Sequence, residues 1–284
     1  MNAFPRTTVG GVSLSRMIIG TNWFLGFSHQ TEAKDQWIES YMDRNKVADI
    51  LEVFVNAGVD TIMGLAQRPL LQEAIKETQE RTGKKMIIVS TPLFKPGPTV
   101  PADGFRDSDV LPILEAEVKA GSTFCMPHQS TTDALVDKCT RTIRHMDALC
   151  RMIREHGMIP GLSNHSPEAI IYADETDLDV ETYICLYNSM GFLIHVEVDW
   201  IASVIRESKK PVMTIKPFAA GQLRPFQALP FVWTTLRDKD MVTVGTMTPD
   251  EAKECIEISL AILEKRQANV QLQETRSKAS IKRK

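Results

Sequence analysis

The fold that this sequence predicts is a single (β/α)8 TIM barrel, an α/β fold, spanning residues 1–284 with a β-hairpin at its N-terminus. Three observations predict it. Short apolar runs alternate with amphipathic helical stretches along the whole chain, and no linker-like segment interrupts them. The first such run is followed by Gly20-Thr21-Asn22-Trp23-Phe24-Leu25-Gly26. That stretch lacks the glycine fingerprint an open dinucleotide-binding sheet carries after its first strand.

The elements follow in order. Residues 1–16 hold Thr7-Thr8-Val9-Gly10-Gly11-Val12-Ser13-Leu14, a hairpin turning on its glycine pair and suited to plug a barrel from below. The strand candidates are Met17–Gly20, Thr61–Met63, Met86–Ser90, Thr123–Met126, Ile159–Leu162, Thr182–Leu186, Val212–Ile215 and Met241–Val244. Each is short and almost continuously apolar, as strands covered on both faces are.

Helix faces lie between them. Val47, Ile50, Leu51, Phe54 and Val55 keep 3–4 spacing, with Gly58 as the stop. Val110, Leu111, Leu114 and Val118 repeat this before Gly121, and Met146, Leu149, Cys150 and Ile153 before Gly157. Ile201, Val204 and Ile205 precede Lys209-Lys210-Pro211, a helix end followed by a breaker. Ala252, Cys255, Ile256, Ser259 and Leu260 form the last stripe, opened by Thr248 as N-cap and Pro249 as first helical residue.

Composition bounds the function. A hydrophobic fraction of 43% supports a sizeable core, and a net charge of -3 argues against a nucleic-acid surface. The one basic cluster, Lys278 to Lys284, belongs to a C-terminal tail of residues 265–284 and reads as a solvated terminus. Five scattered cysteines without a CxxC pair read as reduced thiols of a cytoplasmic protein. No apolar run approaches a membrane span, and no signal-peptide core opens the chain. The expected partner is a small molecule, not nucleic acid or a membrane.

Two long loops, residues 23–43 and 92–108, fall on the face where a barrel keeps its chemistry. Long loops there act as lids or binding elements, or as contacts within a homo-oligomer. The same face receives the end of the run Phe124-Cys125-Met126-Pro127-His128. His128 can serve as general acid or base because imidazole titrates near neutrality. Lys216, at the end of the seventh strand, is the second catalytic candidate, since a lysine in a barrel mouth is costly to bury charged. Asn22, Trp23, Thr91, His165 and Asn188 complete a neutral, partly aromatic lining that suits a small polyol, sugar or keto compound. His29, His128 and His165 stand on separate loops, a weak metal pattern, and no metal ligand is assigned. No Asp or Glu occupies a strand end, which argues against a two-carboxylate glycosidase.

Gly58-Val59-Asp60-Thr61-Ile62, Met126-Pro127-His128, Gly161-Leu162-Ser163-Asn164, Tyr187-Asn188, Lys216-Pro217-Phe218-Ala219-Ala220-Gly221-Gln222-Leu223 and Val244-Gly245-Thr246 follow one another along the chain. Their order resembles the aldo-keto reductases over nearly the whole chain. The resemblance implies hydride transfer from a nicotinamide cofactor by an Asp, Tyr, Lys and His tetrad. Carried over residue by residue, the histidine is His128. The aspartate position is Met63, the tyrosine position falls near Arg68, and the lysine position is Thr91 or Pro92. Tyr41 and Lys95 are the loop residues that would have to swing in as replacements.

The resemblance also places a cofactor against Ser163, Asn164, Gly245, Thr246 and Glu254, while the family's strand-six glutamine and strand-seven tyrosine become Ile184 and Ile215. No Arg or Lys in 245–249 meets a 2′-phosphate, so NAD(H) is the expected cofactor. The sequence therefore reads as a reductase-like enzyme for a small carbonyl, polyol or sugar-type metabolite with most of the tetrad replaced. A non-redox lyase or isomerase built on His128 and Lys216, or a non-catalytic binding or assembly protein, are the alternatives.

Overall fold

Eight parallel strand positions ring the centre of the computed structural model, which describes residues 3–94 and 104–270. The strands are Met17–Gly20, Thr61–Gly64, Ile87–Ser90, Phe124–Cys125, Ile159–Ser163, Tyr183–Leu186, Val212–Ile215 and Met241–Val244. The fifth breaks at Gly161 into Ile159–Pro160 and Leu162–Ser163. The first half pairs with Phe124–Cys125 and the second with Tyr183–Ile184, so one strand joins both ends of the sheet and closes the ring. The break has a steric cause. A Cβ at Gly161 would lie 2.8 Å from the Thr182 carbonyl oxygen, a distance only glycine tolerates.

Side-chain alternation separates two cores. Ile18, Met63, Val89, Phe124, Met126, Ile184, Met213 and Met241 point inward and pack with Val9 and Leu14 of the hairpin Arg6–Val9/Val12–Ser15. The hairpin thus fills the lower end, turning on Gly10 and Gly11 at positive φ. Met17, Ile19, Ile62, Cys125, Tyr183, Val212, Val242 and Val244 point outward against the helices. Each fully buried aliphatic side chain contributes on the order of 1.5–3 kcal/mol, so both layers matter to stability.

The helices are α1 (Glu32–Tyr41), α2 (Arg44–Asn56), α3 (Pro69–Thr82), α4 (Asp107–Lys119), α5 (Gln129–Leu135), α6 (Met146–Glu155), α7 (Glu168–Glu175), α8 (Val198–Glu207), α9 (Pro225–Thr235) and α10 (Pro249–Leu263). The Thr248 cap of α10 is present, its hydroxyl accepting from the Glu251 backbone N–H. Val118, expected on the buried face of α4, is exposed. Its helix buries Val110, Leu114 and Glu117 instead, the Glu117 carboxylate accepting from Gln67 and Ser122. The 23–43 stretch is not loop throughout, because Thr31 caps α1 and accepts from the Lys34 N–H. The 92–108 stretch ends at α4, and its residues 95–103, with Lys95, lie outside the described residues, as does the tail from 271 onward.

A buried carboxylate fastens the lower ends of the last two strands. Asp240, 0% exposed, accepts from the Val212 backbone N–H at 2.9 Å and from the Arg237 guanidinium at 2.7 and 2.8 Å. No helix among the described residues is long and apolar enough to cross a membrane.

Candidate functional site

A cavity of about 690 Å³ opens at the C-terminal ends of the strands, within the size range of small-molecule sites. Its floor is set by the last inward-facing positions: Met63, Ile184, Ile215 and Thr243. Met63, the residue expected at the aspartate position, brings a thioether to the cavity. Met63 sulfur accepts a long contact of 3.8 Å from the Thr243 hydroxyl, and no ionisable group stands in its place. Thr91, one of the two residues expected at the lysine position, also lines the cavity. Arg68 does not. It is exposed and lies over the Phe27 ring, 5.8 Å from its centroid. Tyr41 stacks on Trp37 on α1, apart from the cavity lining. Asp60 is ion-paired with Arg6 of the hairpin at 2.9 Å.

One wall carries a lysine and an imidazole in contact. The loop after the first strand passes over the mouth, where the His29 Nδ1–H donates to the Phe27 carbonyl oxygen at 2.9 Å. This leaves a lone pair on Nε2, which accepts from Lys216 Nζ at 2.6 Å. Gln30 Nε2 donates to the Ala220 carbonyl oxygen at 2.6 Å, so two adjacent residues of this loop clasp the segment after the seventh strand. That segment is conformationally costly. Lys216, Ala219 and Ala220 all adopt positive φ, which costs a non-glycine residue about 1–2 kcal/mol each. Lys216 makes no ion pair among the described residues. Burial lowers its pKa to about 8.

A second part of the lining, after the fourth and fifth strands, carries His128 and His165. His128 caps α5 and its Nδ1 accepts from the Ser130 N–H at 3.3 Å and the Ser130 hydroxyl at 2.8 Å. These partners assign the ring proton of neutral His128 to Nε2. His165 is held through its backbone, where Asp133 carboxylate oxygens accept from the His165 and Ser166 N–H groups. Burial, followed by the Lys216 charge, holds His29 and His128 below the usual imidazole range and brings His165 to about 4. All three rings are therefore neutral at pH 7. Asp133 is pushed up to about 6, chiefly by burial.

The structure gathers Asn22, Trp23, Thr91, His128, Ser163, His165, Lys216, Gly245, Thr246 and Glu254 around this one cavity. Gly245 is needed for the packing, since a Cβ there would stand 2.7 Å from Trp23 Cδ1. Two other candidates are placed elsewhere. Asn164 is fully buried behind the wall, its amide nitrogen donating to the Ser166 carbonyl. Asn188 is spent on its own loop, accepting from Met190 and Phe192 N–H groups and donating to the Phe192 carbonyl. No feature of local spacing marks His29 as the partner of Lys216, since the two lie 187 residues apart in sequence. Thr21 and Thr246 are buried cavity residues whose hydroxyl oxygens have no partner. Among the described residues no group of three or more His, Cys, Asp or Glu is arranged to hold a metal.

No protein-family model and no curated protein matches the sequence. Solved structures do. The chain is similar to the "putative aldo-keto reductase" from Pseudomonas aeruginosa, with a TM-score of 0.63 and 16% identity over 91% of this chain and 96% of that one. An aldo/keto reductase from Brucella melitensis gives 0.59 and 11% over 91% and 93%. An aldo-keto reductase enzyme from a Medee basin deep-sea metagenome library gives 0.59 and 9% over 95% and 97%. The chain has the (β/α)8 fold of the aldo-keto reductases, matched over 91% of its length, with a cavity where such barrels keep their chemistry.

Proposed function

We propose that this protein is an enzyme acting on a small carbonyl, polyol or sugar-type metabolite, held between the lysine wall and the histidine wall of the cavity. The observation that carries this reading is the pairing of Lys216 with neutral His29 in a cavity that also contains His128. Lys216 and the Nε2–H of His128 are hydrogen-bond donors suited to a carbonyl or hydroxyl oxygen. The apolar floor of Met63, Ile184 and Ile215 suits a carbon skeleton.

NAD(H) fits part of the same cavity. Ser163, Gly245, Thr246 and Glu254 lie along its lining, and the Thr21 and Thr246 hydroxyls are buried without a partner, as unfilled ligand contacts are. When bound, a nicotinamide would supply or accept hydride. The chain's own residues would orient the oxygen and exclude water, while Trp23, packed on Gly245, would register the event as fluorescence quenching. Proton supply by the family's tyrosine relay is not available at Met63 and Thr91. A positioned acid–base group contributes about 10²–10⁴-fold, so carbonyl reduction by that relay is expected to be slow.

The test is titration of Trp fluorescence and of melting temperature with NADH and NADPH. NADH is expected to quench and to stabilise more strongly than NADPH. Absence of binding by either at millimolar concentration overturns the cofactor part of the proposal. Loss of small-carbonyl or polyol affinity in Lys216→Met and His128→Ala is expected, and unchanged affinity in both overturns the assignment of the site.

A further inference from the structure

We infer that Lys216 is an imine-forming nucleophile, with His29 as its proton acceptor, giving the cavity an amine-catalysed activity on aldehydes or ketones that needs no nicotinamide. The inference rests on the reading that this cavity admits a carbonyl compound.

Four features of the structure converge on this. Lys216 is a half-buried amine with no carboxylate partner among the described residues, unlike the paired lysines of the surface such as Lys138 with Glu168 or Lys209 with Asp177. A structural lysine is normally buried only when paired. Among the described residues Nζ hydrogen-bonds to a nitrogen lone pair, His29 Nε2 at 2.6 Å, on a ring whose tautomer is fixed by the Phe27 carbonyl. A lone pair can take the ammonium proton and return it, which a backbone carbonyl cannot do at neutral pH. The backbone at Lys216 is held at φ 61, in the left-handed region, by surroundings that include the Gln30–Ala220 clasp; such strain persists where side-chain direction matters. The lowered Lys216 pKa, caused by burial, makes the free amine accessible near neutral pH.

The step balances without an oxidant or reductant. The ammonium gives one proton to His29 Nε2. The neutral amine attacks the carbonyl carbon, forming a C–N bond as the C=O π bond breaks, and the second amine proton moves to the oxygen to give a carbinolamine. His29 then returns its proton to that hydroxyl, water leaves, and a protonated imine remains with His29 neutral again. The Nε2–H of His128 can steady the oxygen as charge builds on it. The imine withdraws electrons from the adjacent carbon, so the reactions it supports are cleavage or formation of the neighbouring C–C bond, or proton exchange there.

The experiment is reductive trapping in the absence of any nicotinamide. The full chain is incubated at pH 7 with glycolaldehyde, dihydroxyacetone or pyruvate and sodium borohydride, and adducts are mapped by peptide mass spectrometry. The expected result is saturable modification concentrated at Lys216, at least tenfold faster than at any other lysine, and slowed at least tenfold in His29→Gln. Modification spread evenly over surface lysines, or a Lys216 rate unchanged in His29→Gln, overturns the inference. Mapping on the unaltered chain decides the site even if a variant folds poorly. Trapping at Lys216 without NADH binding removes the cofactor reading alone; NADH binding without trapping removes this inference alone.

Discussion

Lys216 Nζ and His29 Nε2, 187 residues apart in sequence, meet at 2.6 Å across the mouth of the barrel. The contact pairs an amine with a neutral ring; burial lowers the lysine, and burial followed by the lysine's charge lowers the ring.

Lys216 is expected to lose its proton near pH 8, whereas exposed lysines do so near 10.4. Reductive ¹³C-methylation followed by NMR titration reads this directly. Because the folded state releases this proton before the unfolded chain does, the group's contribution makes stability rise with pH between about 8 and 10.5. A midpoint above 10 in the folded protein contradicts the burial assigned to this side chain.

Acid should weaken the protein through the histidine wall. The unfolded chain protonates His165 near 6.5 but the folded one only near 4, so its stability contribution is complete above about 6.5 and is lost as pH falls toward 4. His29 and His128 act in the same direction. Asp133 acts oppositely, since its folded value of about 6 exceeds the ordinary 3.8 and the folded state gains protons first. Urea midpoints measured from pH 7 to 4.5 should fall, and His165→Gln should flatten the slope. A steeper slope in that variant would show the sign to be wrong.

Asp240→Ala is expected to cost about 3–5 kcal/mol. It removes the acceptor of the buried Val212 N–H and leaves the Arg237 guanidinium without its carboxylate. Chemical denaturation measures the loss. A cost under 1 kcal/mol is incompatible with a carboxylate that fastens two strands.

Gly64→Ala should cost on the order of 1–3 kcal/mol by overpacking, because the new Cβ would fall 1.8 Å from Thr21 Oγ1 and φ there is 154. Thr21→Ala removes that oxygen, which has no hydrogen-bond partner. The double variant should therefore be more stable than the sum of the two single changes predicts.

Thiol counting separates surface from core. Cys139 is exposed and the other cysteines are buried, with burial raising the pKa of Cys150 and Cys185 to about 12. One fast thiol per folded chain is expected with an aromatic disulfide reagent, and five after denaturation. Two or more fast thiols would mean that a helix covering the barrel opens readily.

The barrel was legible because its strands advertise themselves. Runs such as Met17–Gly20 and Val212–Ile215 are apolar on both faces, and α10 begins with Thr248 and Pro249 as its sequence says. The helix α1 was not, because it buries only Ile38 and presents charge elsewhere, so no stripe marks it. The seven residues of α5 are too few for periodicity, but a helix after the run ending at His128 was expected and is present. Most of the cavity lining could be read from strand ends, since position along a strand fixes which face of the barrel a residue reaches. Asn188 and Asn164 show the limit. A side-chain amide at a strand end can face the cavity or satisfy its own loop, and these turn to the loop. The His29–Lys216 contact was invisible for a different reason, as it depends on how one loop crosses another.

The divided fifth strand leaves one side of the cavity with the shortest run of strand pairings. From Val89 to Tyr183 each strand-to-strand pairing holds only two residues, whereas Tyr183–Leu186 and Val212–Ile215 align over four. His128, Ser163 and His165 thus hang from strands laced thinly on both sides, while the strand before Lys216 is paired over four residues on one side and two on the other. Ligands of different size are expected to be accommodated first on the histidine side, where the sheet carries fewest pairings, with Lys216 keeping its direction through the Gln30–Ala220 clasp.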